Sequence, residues 1–338
     1  MERAYLGLDA GGTKVAAGVV TERGAVRSHV RLATAELRAN GQPLAALVAL
    51  GRRAIAEAGG GAPDGVGVAL PGPVRRADLT MLAAPTIPEW ERVPLGPALC
   101  EAFGAPAAGD NDANACALAE SRFGAGAGAA VVVYFTVSTG IGGGIVVDGR
   151  VFRGARGTSG EFGHQVILPE GGPLCDCGNR GCLEALASGR GIAARARQTL
   201  APPAVGGEWT AETIAHAARS GDPTAVQVWR DTALYLGLGI SNVVNVIDPD
   251  VVVLGGGVVA GAGDLLLDPV REVVAARCMP SLARGVRIVP AALRSDVGII
   301  GAACLAMEAG IIRDEDVRQT RLGSEPESPG GAAEGGPL

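Results

Sequence analysis

Residues 4–20 read AYLGLDAGGTKVAAGVV, and residues 129–149 read AAVVVYFTVSTGIGGGIVVDG. Each is a short apolar run, a glycine-rich tip and a second apolar run, the pattern of strand, tight turn, strand. Gly11-Gly12 supplies the first turn, and Gly140 with Gly142-Gly143-Gly144 the second. In a P-loop or a dinucleotide fingerprint the glycines lead from a strand into a helix. Here they lead back into a strand. The chain therefore carries an internal echo, two glycine-tipped hairpins roughly one domain apart, although two unrelated hairpins would leave the same trace.

Outward from these hairpins the chain alternates helix and strand. Residues 43–58 read as an amphipathic helix, and Val66–Leu70 as a buried strand ending at Pro71-Gly72-Pro73. Pro106–Gly109 is expected as a strand, followed by a helix over 112–123 with Asn111 or Asp112 as its cap. Further helices are expected over 185–200, 210–219, 223–247 and 296–310. Strands are expected at Val251–Leu254, which runs into Gly255-Gly256-Gly257, and at 286–290. From about Arg318 the chain becomes RLGSEPESPGGAAEGGPL, and residues 319–338 read as a disordered tail because they lack apolar anchors.

Bulk composition narrows the function classes. With 338 residues, 48% hydrophobic and 19% charged, the chain has room for two folded domains. A net charge of -6 without a basic cluster argues against a nucleic-acid partner, since phosphate neutralisation needs grouped Lys and Arg. The apolar region 232–267 is interrupted by Asp248, Pro249 and Asp250, so no membrane span or membrane partner is expected. The N-terminus shows no basic-then-apolar leader, and a cytoplasmic location is expected. Lys14 is the only lysine, and it stands beside the first glycine turn. Function or chance survival in an Arg-rich composition both account for it.

The glycine loops invite anions. Backbone N–H groups at Gly11 and Gly12 can approach phosphate oxygens, with Thr13 adding a hydroxyl and Lys14 a charge. Asp9 would repel a phosphate unless a divalent cation, Mg²⁺ with its waters, stood between them. Thr139, Gly140 and Gly142 offer the same backbone chemistry, and Gly256-Gly257 after a strand suits the adenosine part of a nucleotide. Asn111-Asp112 stands at a strand-to-helix junction. A carboxylate there can take a proton from a substrate hydroxyl, or it can merely cap the helix.

The stretch EFGHQVILPEGGPLCDCGNRGCLE, residues 161–184, contains one of three histidines and three of seven cysteines. His164, Cys175, Cys177 and Cys182 offer one imidazole and three thiolates, a donor set for a closed, structural Zn²⁺. The glycines at 178 and 181 supply tight bends. A reduced, metal-free cysteine cluster is the alternative. The odd cysteine count disfavours a disulfide framework. The same stretch brings Glu161 and Glu184 up against the cluster, as a site that grips the hydroxyls of a polar substrate would require.

DAGGTK at 9–14, NDANACALAE at 111–120, STGIGGG at 138–144, GEFGH at 160–164 and CDCGNRGCLE at 175–184 together resemble the ROK family. That family comprises bacterial sugar kinases and sugar-responsive repressors. The resemblance runs from about residue 4 to residue 310. It implies an α/β, two-domain actin/hexokinase-like (ribonuclease H-like) fold with an interdomain cleft and a zinc-stapled loop. One domain would comprise residues 1–110 plus about 297–318, and the other residues 111–296. Asp112 matches the family's catalytic base. Gly72, Asn111, Asp112, Gly140, Glu161, His164 and Glu184 match positions at its sugar pocket. Asp9–Lys14 and Thr139–Gly144 match the two phosphate loops, and Gly255–Gly257 the adenosine loop.

The implied activity is ATP-dependent phosphorylation of a hexose 6-hydroxyl, glucose foremost. N-acetylmannosamine, N-acetylglucosamine, mannose or fructose are the alternative acceptors, polyphosphate is an alternative donor, and a homodimer or homotetramer is implied. One departure concerns specificity: many members carry Asn where Thr86 stands, beside the sugar pocket. The family's repressors carry a DNA-binding segment before the first phosphate loop. With eight residues before Asp9, catalysis is expected rather than gene regulation.

Overall fold

The first hairpin forms as its sequence requires. In the computed structural model, β1 (Ala4–Ala10) and β2 (Lys14–Thr21) pair antiparallel, from Ala4 opposite Thr21 to Ala10 opposite Val15. The structure describes residues 2–39, 41–84, 87–200 and 207–322, with side chains through residue 310. Around the hairpin, β3 (Val30–Ala33), β4 (Gly65–Leu70) and β5 (Ala107–Asn111) complete a sheet of order β3-β2-β1-β4-β5. The second hairpin, β6 (Val131–Val137) with β7 (Ile141–Val147), seeds a sheet with β8 (Arg150–Val151), β9 (Val251–Gly255) and β10 (Arg287–Pro290). Its order is β8-β7-β6-β9-β10. Pairing sense matches as well: the hairpins and their outer strands are antiparallel, and the last two strands of each sheet are parallel additions. The echo in the sequence is a repeat of the whole sheet.

Side-chain alternation then fixes what faces what. On β1, Leu6, Leu8 and Ala10 join a core with Leu47, Leu50 and Ala54 of α1 (Pro43–Glu57). The opposite face presents Tyr5, Gly7 and Asp9. On β6, Val133, Phe135 and Val137 face a second core built with Trp229, Leu236 and Ile240, while Val132 and Tyr134 face inward. Between the sheets lie two helices, α2 (Asp112–Phe123) and the closing helix, which runs from Val297 to Leu322. Gly7 and Gly67 lie beneath the closing helix. A Cβ built on them would stand 2.0 Å from the Ile299 carbonyl oxygen and 1.6 Å from that of Ala302. Only glycine admits so close a helix, and that closeness brings the residues at the strand ends into one region.

Several boundaries differ from expectation. β5 extends to Asn111, so Asn111 alone is the cap of α2, its side chain accepting from the Ala113 N–H. The helix expected over 185–200 is two: α3 (Leu183–Ala187) and α4 (Gly189–Thr199). Ser188 separates them in an extended conformation, its hydroxyl accepting from the Gly191 N–H at 3.2 Å, as a cap does. Helices at 211–219 and 223–247 form as expected. Gly257–Ala262 and Asp264–Arg277 form additional helices, the latter despite an internal Pro269. The closing helix passes residue 310 because RDEDVRQTRL holds neither Gly nor Pro. Of the tail expected over 319–338, residues 319–322 are therefore the end of the closing helix, while 323–338 lie outside the described residues, as does Thr86.

Candidate active site

Capping by Asn111 leaves Asp112 as the first residue of α2 rather than its cap. Asn111 Oδ1 accepts from the Ala113 N–H at 2.9 Å, and Asp112 Oδ1 accepts from the same N–H at 2.8 Å. Asn111 Nδ2 donates toward the Gly72 carbonyl at 3.4 Å. Gly72 holds φ 144°, and a Cβ there would stand 2.7 Å from the Ala83 carbonyl oxygen. Asn111, Asp112, Gly142 and Glu161 line one hollow with the loop residues 157–160. Burial, reinforced by the charges of Asp9 and Glu161, pushes the Asp112 carboxyl up to about 7. A carboxylate so placed is a ready proton acceptor near neutral pH.

Asp9 follows from the alternation of β1, which turns it toward the start of the closing helix. A Cβ on Gly298 would stand 2.1 Å from Asp9 Oδ2. Burial raises the Asp9 carboxyl to about 6, opposed by Lys14. The Asp9 charge is one of the causes that raise Asp112, and a carboxylate oxygen suits a hard ion such as Mg²⁺. The turn beside Asp9 is held by the Gly11 N–H donating to the Lys14 carbonyl at 3.0 Å and by Thr34 Oγ1 donating to the Gly11 carbonyl at 2.8 Å. Gly12, Thr13 and Lys14 remain exposed.

At the second tip, the Ser138 N–H donates to the Gly140 carbonyl at 2.9 Å. Glu184 Oε2 accepts from the Ile141 N–H at 2.8 Å. Glu184 thus braces the tip from below, and it lines a neighbouring hollow with Cys175, Asp176 and Arg190 rather than the one containing Asp112. The glycines of the following strand divide their work. A Cβ on Gly143 would meet the Phe162 ring at 2.2 Å, and one on Gly144 the Ala117 side chain at 2.8 Å. Those two are packing glycines. Thr139 and Gly257 meet across a broad groove that also takes in Arg190, Arg197 and Trp209. Gly256, with φ 92°, starts the turn into Gly257–Ala262, and a Cβ there would stand 2.2 Å from the Val137 carbonyl oxygen.

The ligand atoms of His164, Cys175, Cys177 and Cys182 all lie within 4.8 Å of one another, so the group can hold a metal ion. Cys175 Sγ is 3.6 Å from His164 Nδ1, and Cys177 Sγ is 3.6 Å from Cys182 Sγ. A tetrahedral site with Zn–S bonds of about 2.3 Å needs ligand separations of about 3.8 Å; the two 3.6 Å pairs match that spacing, and with the other separations within 4.8 Å the donor set suits zinc after a small contraction. His164 turns Nδ1 to the cysteines and Nε2 toward Glu161, 3.8 Å from its Oε2.

Residues 5–309 match the model of the ROK family. The chain belongs to the ROK family. The glucokinase of Streptomyces coelicolor is 37% identical over 321 residues, 90% of this chain and 97% of that protein. The crystal structure of the ROK hexokinase from Thermus thermophilus superposes with a TM-score of 0.79 at 37% identity, covering 92% of this chain and 99% of that one. A ROK family glucokinase from Streptomyces griseus, solved in complex with glucose and AMPPNP, superposes with a TM-score of 0.74 at 36% identity, covering 90% and 99%. The fold is accordingly the two-domain actin/hexokinase-like architecture of ROK sugar kinases.

Sequence reasoning missed two parts of this ROK site. Arg190 joins Asp176 at 2.5 Å, Glu184 at 3.4 Å and the Thr139 carbonyl at 3.3 Å, tying the cysteine loop to the second glycine tip. Residues 157–160 of the loop after β8 supply much of the lining of the Asp112 hollow. An arginine among many arginines and a Gly-Ser-Thr loop give no local signal; only the fold brings them in.

Proposed function

We propose that this chain is a sugar kinase that transfers the γ-phosphoryl group of ATP to the 6-hydroxyl of a hexose, with glucose the preferred acceptor. The observation that carries the reading is Asp112: first residue of α2 behind the Asn111 cap, one carboxylate oxygen on the Ala113 N–H, set in a hollow with Asn111 and Glu161, and raised to about 7. Asp112 takes the proton of the sugar hydroxyl as that oxygen attacks phosphorus. The new O–P bond forms as the bond to the ADP oxygen breaks. Asn111, Glu161 and His164, with Gly72 and Gly140, hold the sugar hydroxyls, and Glu184, bound to the Ile141 N–H and facing the neighbouring hollow, supports them through the second tip. Asp9, Gly11, Gly12, Thr13 and Lys14 serve the phosphates from one side, and Thr139, Gly140 and Gly142 from the other. Gly256 and Gly257 approach the adenosine. Positioning and backbone dipoles supply most of the rate.

Mg²⁺ bound with the nucleotide would neutralise phosphate charge, with Asp9 holding its water shell. Zn²⁺ on His164, Cys175, Cys177 and Cys182 would be structural, since protein ligands fill all four positions. Residues 1–110 with about 297–318 form the smaller domain and 111–296 the larger, with the nucleotide in the cleft between them. Closure over the sugar excludes water. We further propose a cytoplasmic homodimer or homotetramer, which light scattering measures. No helix of the described residues is long and apolar enough to cross a membrane.

A coupled assay for ADP over glucose, mannose, fructose, N-acetylglucosamine and N-acetylmannosamine, with ATP and polyphosphate as donors, tests the reading. Glucose with ATP is expected to give the highest kcat/KM. A different sugar at the top would correct the substrate, and no sugar-dependent turnover would remove the assignment.

A further inference from the structure

One buried ion triad joins three segments that the proposed mechanism needs in register. Arg153 follows β8 and opens the loop that leads to Glu161. Its Nε donates to Asp110 Oδ2 at 2.6 Å, and its Nη2 donates to Glu308 Oε2 at 2.6 Å. The Asp110 side chain is 4% exposed and that of Glu308 3%, so neither charge has water to fall back on. Arg76 stands 3.8 Å from the same Asp110 oxygen, beyond hydrogen-bond reach and on the exposed side.

Each end of the triad is tied onward. Asp110 Oδ1 accepts from the Asn111 N–H at 2.8 Å and from Asn114 Nδ2 at 3.0 Å, fixing the strand end and first turn that present Asp112. The Arg153 carbonyl accepts from the Ser159 N–H at 3.1 Å, closing the loop whose residues 157–160 line the Asp112 hollow. Glu308 accepts from the Val151 N–H at 3.2 Å and belongs to the closing helix. A planar guanidinium can bridge two carboxylates at fixed angle, which an ammonium cannot.

We infer that Arg153 is a positioning residue: it locks the strand end carrying Asp112 to the loop carrying Glu161, and so sets the rate of transfer without touching nucleotide binding. The inference rests on the kinase reading above for its rate effect, but the lock itself does not. Removing Arg153 also strands two buried carboxylates, so loss of fold must be separated from loss of register.

Three variants make that separation, measured by steady-state kinetics with glucose and ATP and by hydrogen exchange with mass spectrometry. Arg153→Gln is expected to lower kcat about a hundredfold, the effect of roughly ångström-scale misplacement, with KM for ATP within about twofold of wild type. Amides at 110–114 and 154–161 should exchange faster together. Arg153→Lys, which keeps the charge but loses the fork, should recover about tenfold of that loss. Glu308→Gln leaves Arg153 on Asp110, so it should lower thermal stability yet keep kcat within about threefold.

A folded Arg153→Gln or Arg153→Lys protein with wild-type kcat overturns the inference. So does unchanged exchange in both segments, or a Glu308→Gln protein as slow as Arg153→Gln, which would mean general loosening. If Arg153→Gln does not fold, the Lys and Glu308 variants decide. If the wild-type protein turns over no hexose, the kinase reading falls, and the exchange data still decide the lock.

Discussion

A general base held ready by burial should cost the fold stability, and Asp112 lets that cost be measured. Its carboxyl is raised from 3.8 to about 7, so the folded protein holds the proton more tightly than the unfolded chain. Stability from that proton is full below pH 3.8 and is lost as pH rises through 7. The full displacement corresponds to about 4 kcal/mol by linkage. The hollow is open on one side, and solvent screens part of this, leaving about 1–2 kcal/mol as the expected share. Asp112→Asn keeps an oxygen to accept the Ala113 N–H and removes the charge. The variant should therefore melt about 2–4 °C higher than wild type at pH 8, with about half that gain at pH 5.5. Thermal denaturation followed by circular dichroism at the two pH values measures it. A variant less stable than wild type at pH 8, or a gain independent of pH, would refute the reasoning.

Other outcomes follow from the same geometry. The sugar kcat/KM should fall about tenfold per pH unit below 7 as Asp112 is protonated, and more steeply below about 6, where Asp9 takes its proton too; a flat profile between pH 5.5 and 7 would contradict both assignments. Zinc at one equivalent should be found by elemental analysis, and Cys177→Ala or chelation should weaken sugar affinity or stability before KM for ATP moves by about twofold; normal stability and sugar affinity in Cys177→Ala would end the view of the metal as a brace. In Gly140→Ala the new Cβ would stand 2.4 Å from Glu184 Oε2, so kcat/KM should fall about tenfold with a loss of about 1–2 kcal/mol in stability; wild-type values would show that the tip moves freely.

Much of this was legible where the chemistry is local. The hairpins were legible because alternation and glycine turns are short-range signals, whereas the repeat of the whole strand order depends on pairings between distant strands and came only from the fold. Asn111-Asp112 was legible as a junction, but not which residue caps; the answer depended on β5 extending to Asn111. The His164–Cys182 cluster was legible because soft ligands with glycine bends have few other uses. Glu184 was legible as an acid near the site, whereas its hydrogen bond to Ile141 depends on a tip 43 positions away. The Arg153 triad was invisible, since its partners lie 43 and 155 positions away, and a buried ion pair leaves no periodicity. The Ser188 break did carry a local signal, since Ser188-Gly189 is a turn-type dipeptide with Gly191 close behind, but the apolar and basic residues around it gave the stretch a helical look.

The central claim is that Asp112 is the base of a hexose kinase. Turnover of glucose and ATP by wild type and Asp112→Asn, both shown to bind glucose, tests it most directly. The account predicts glucose 6-phosphate from wild type and a loss on the order of 10²–10⁴ in kcat for the variant, with glucose affinity retained. Near-normal turnover by Asp112→Asn would contradict it.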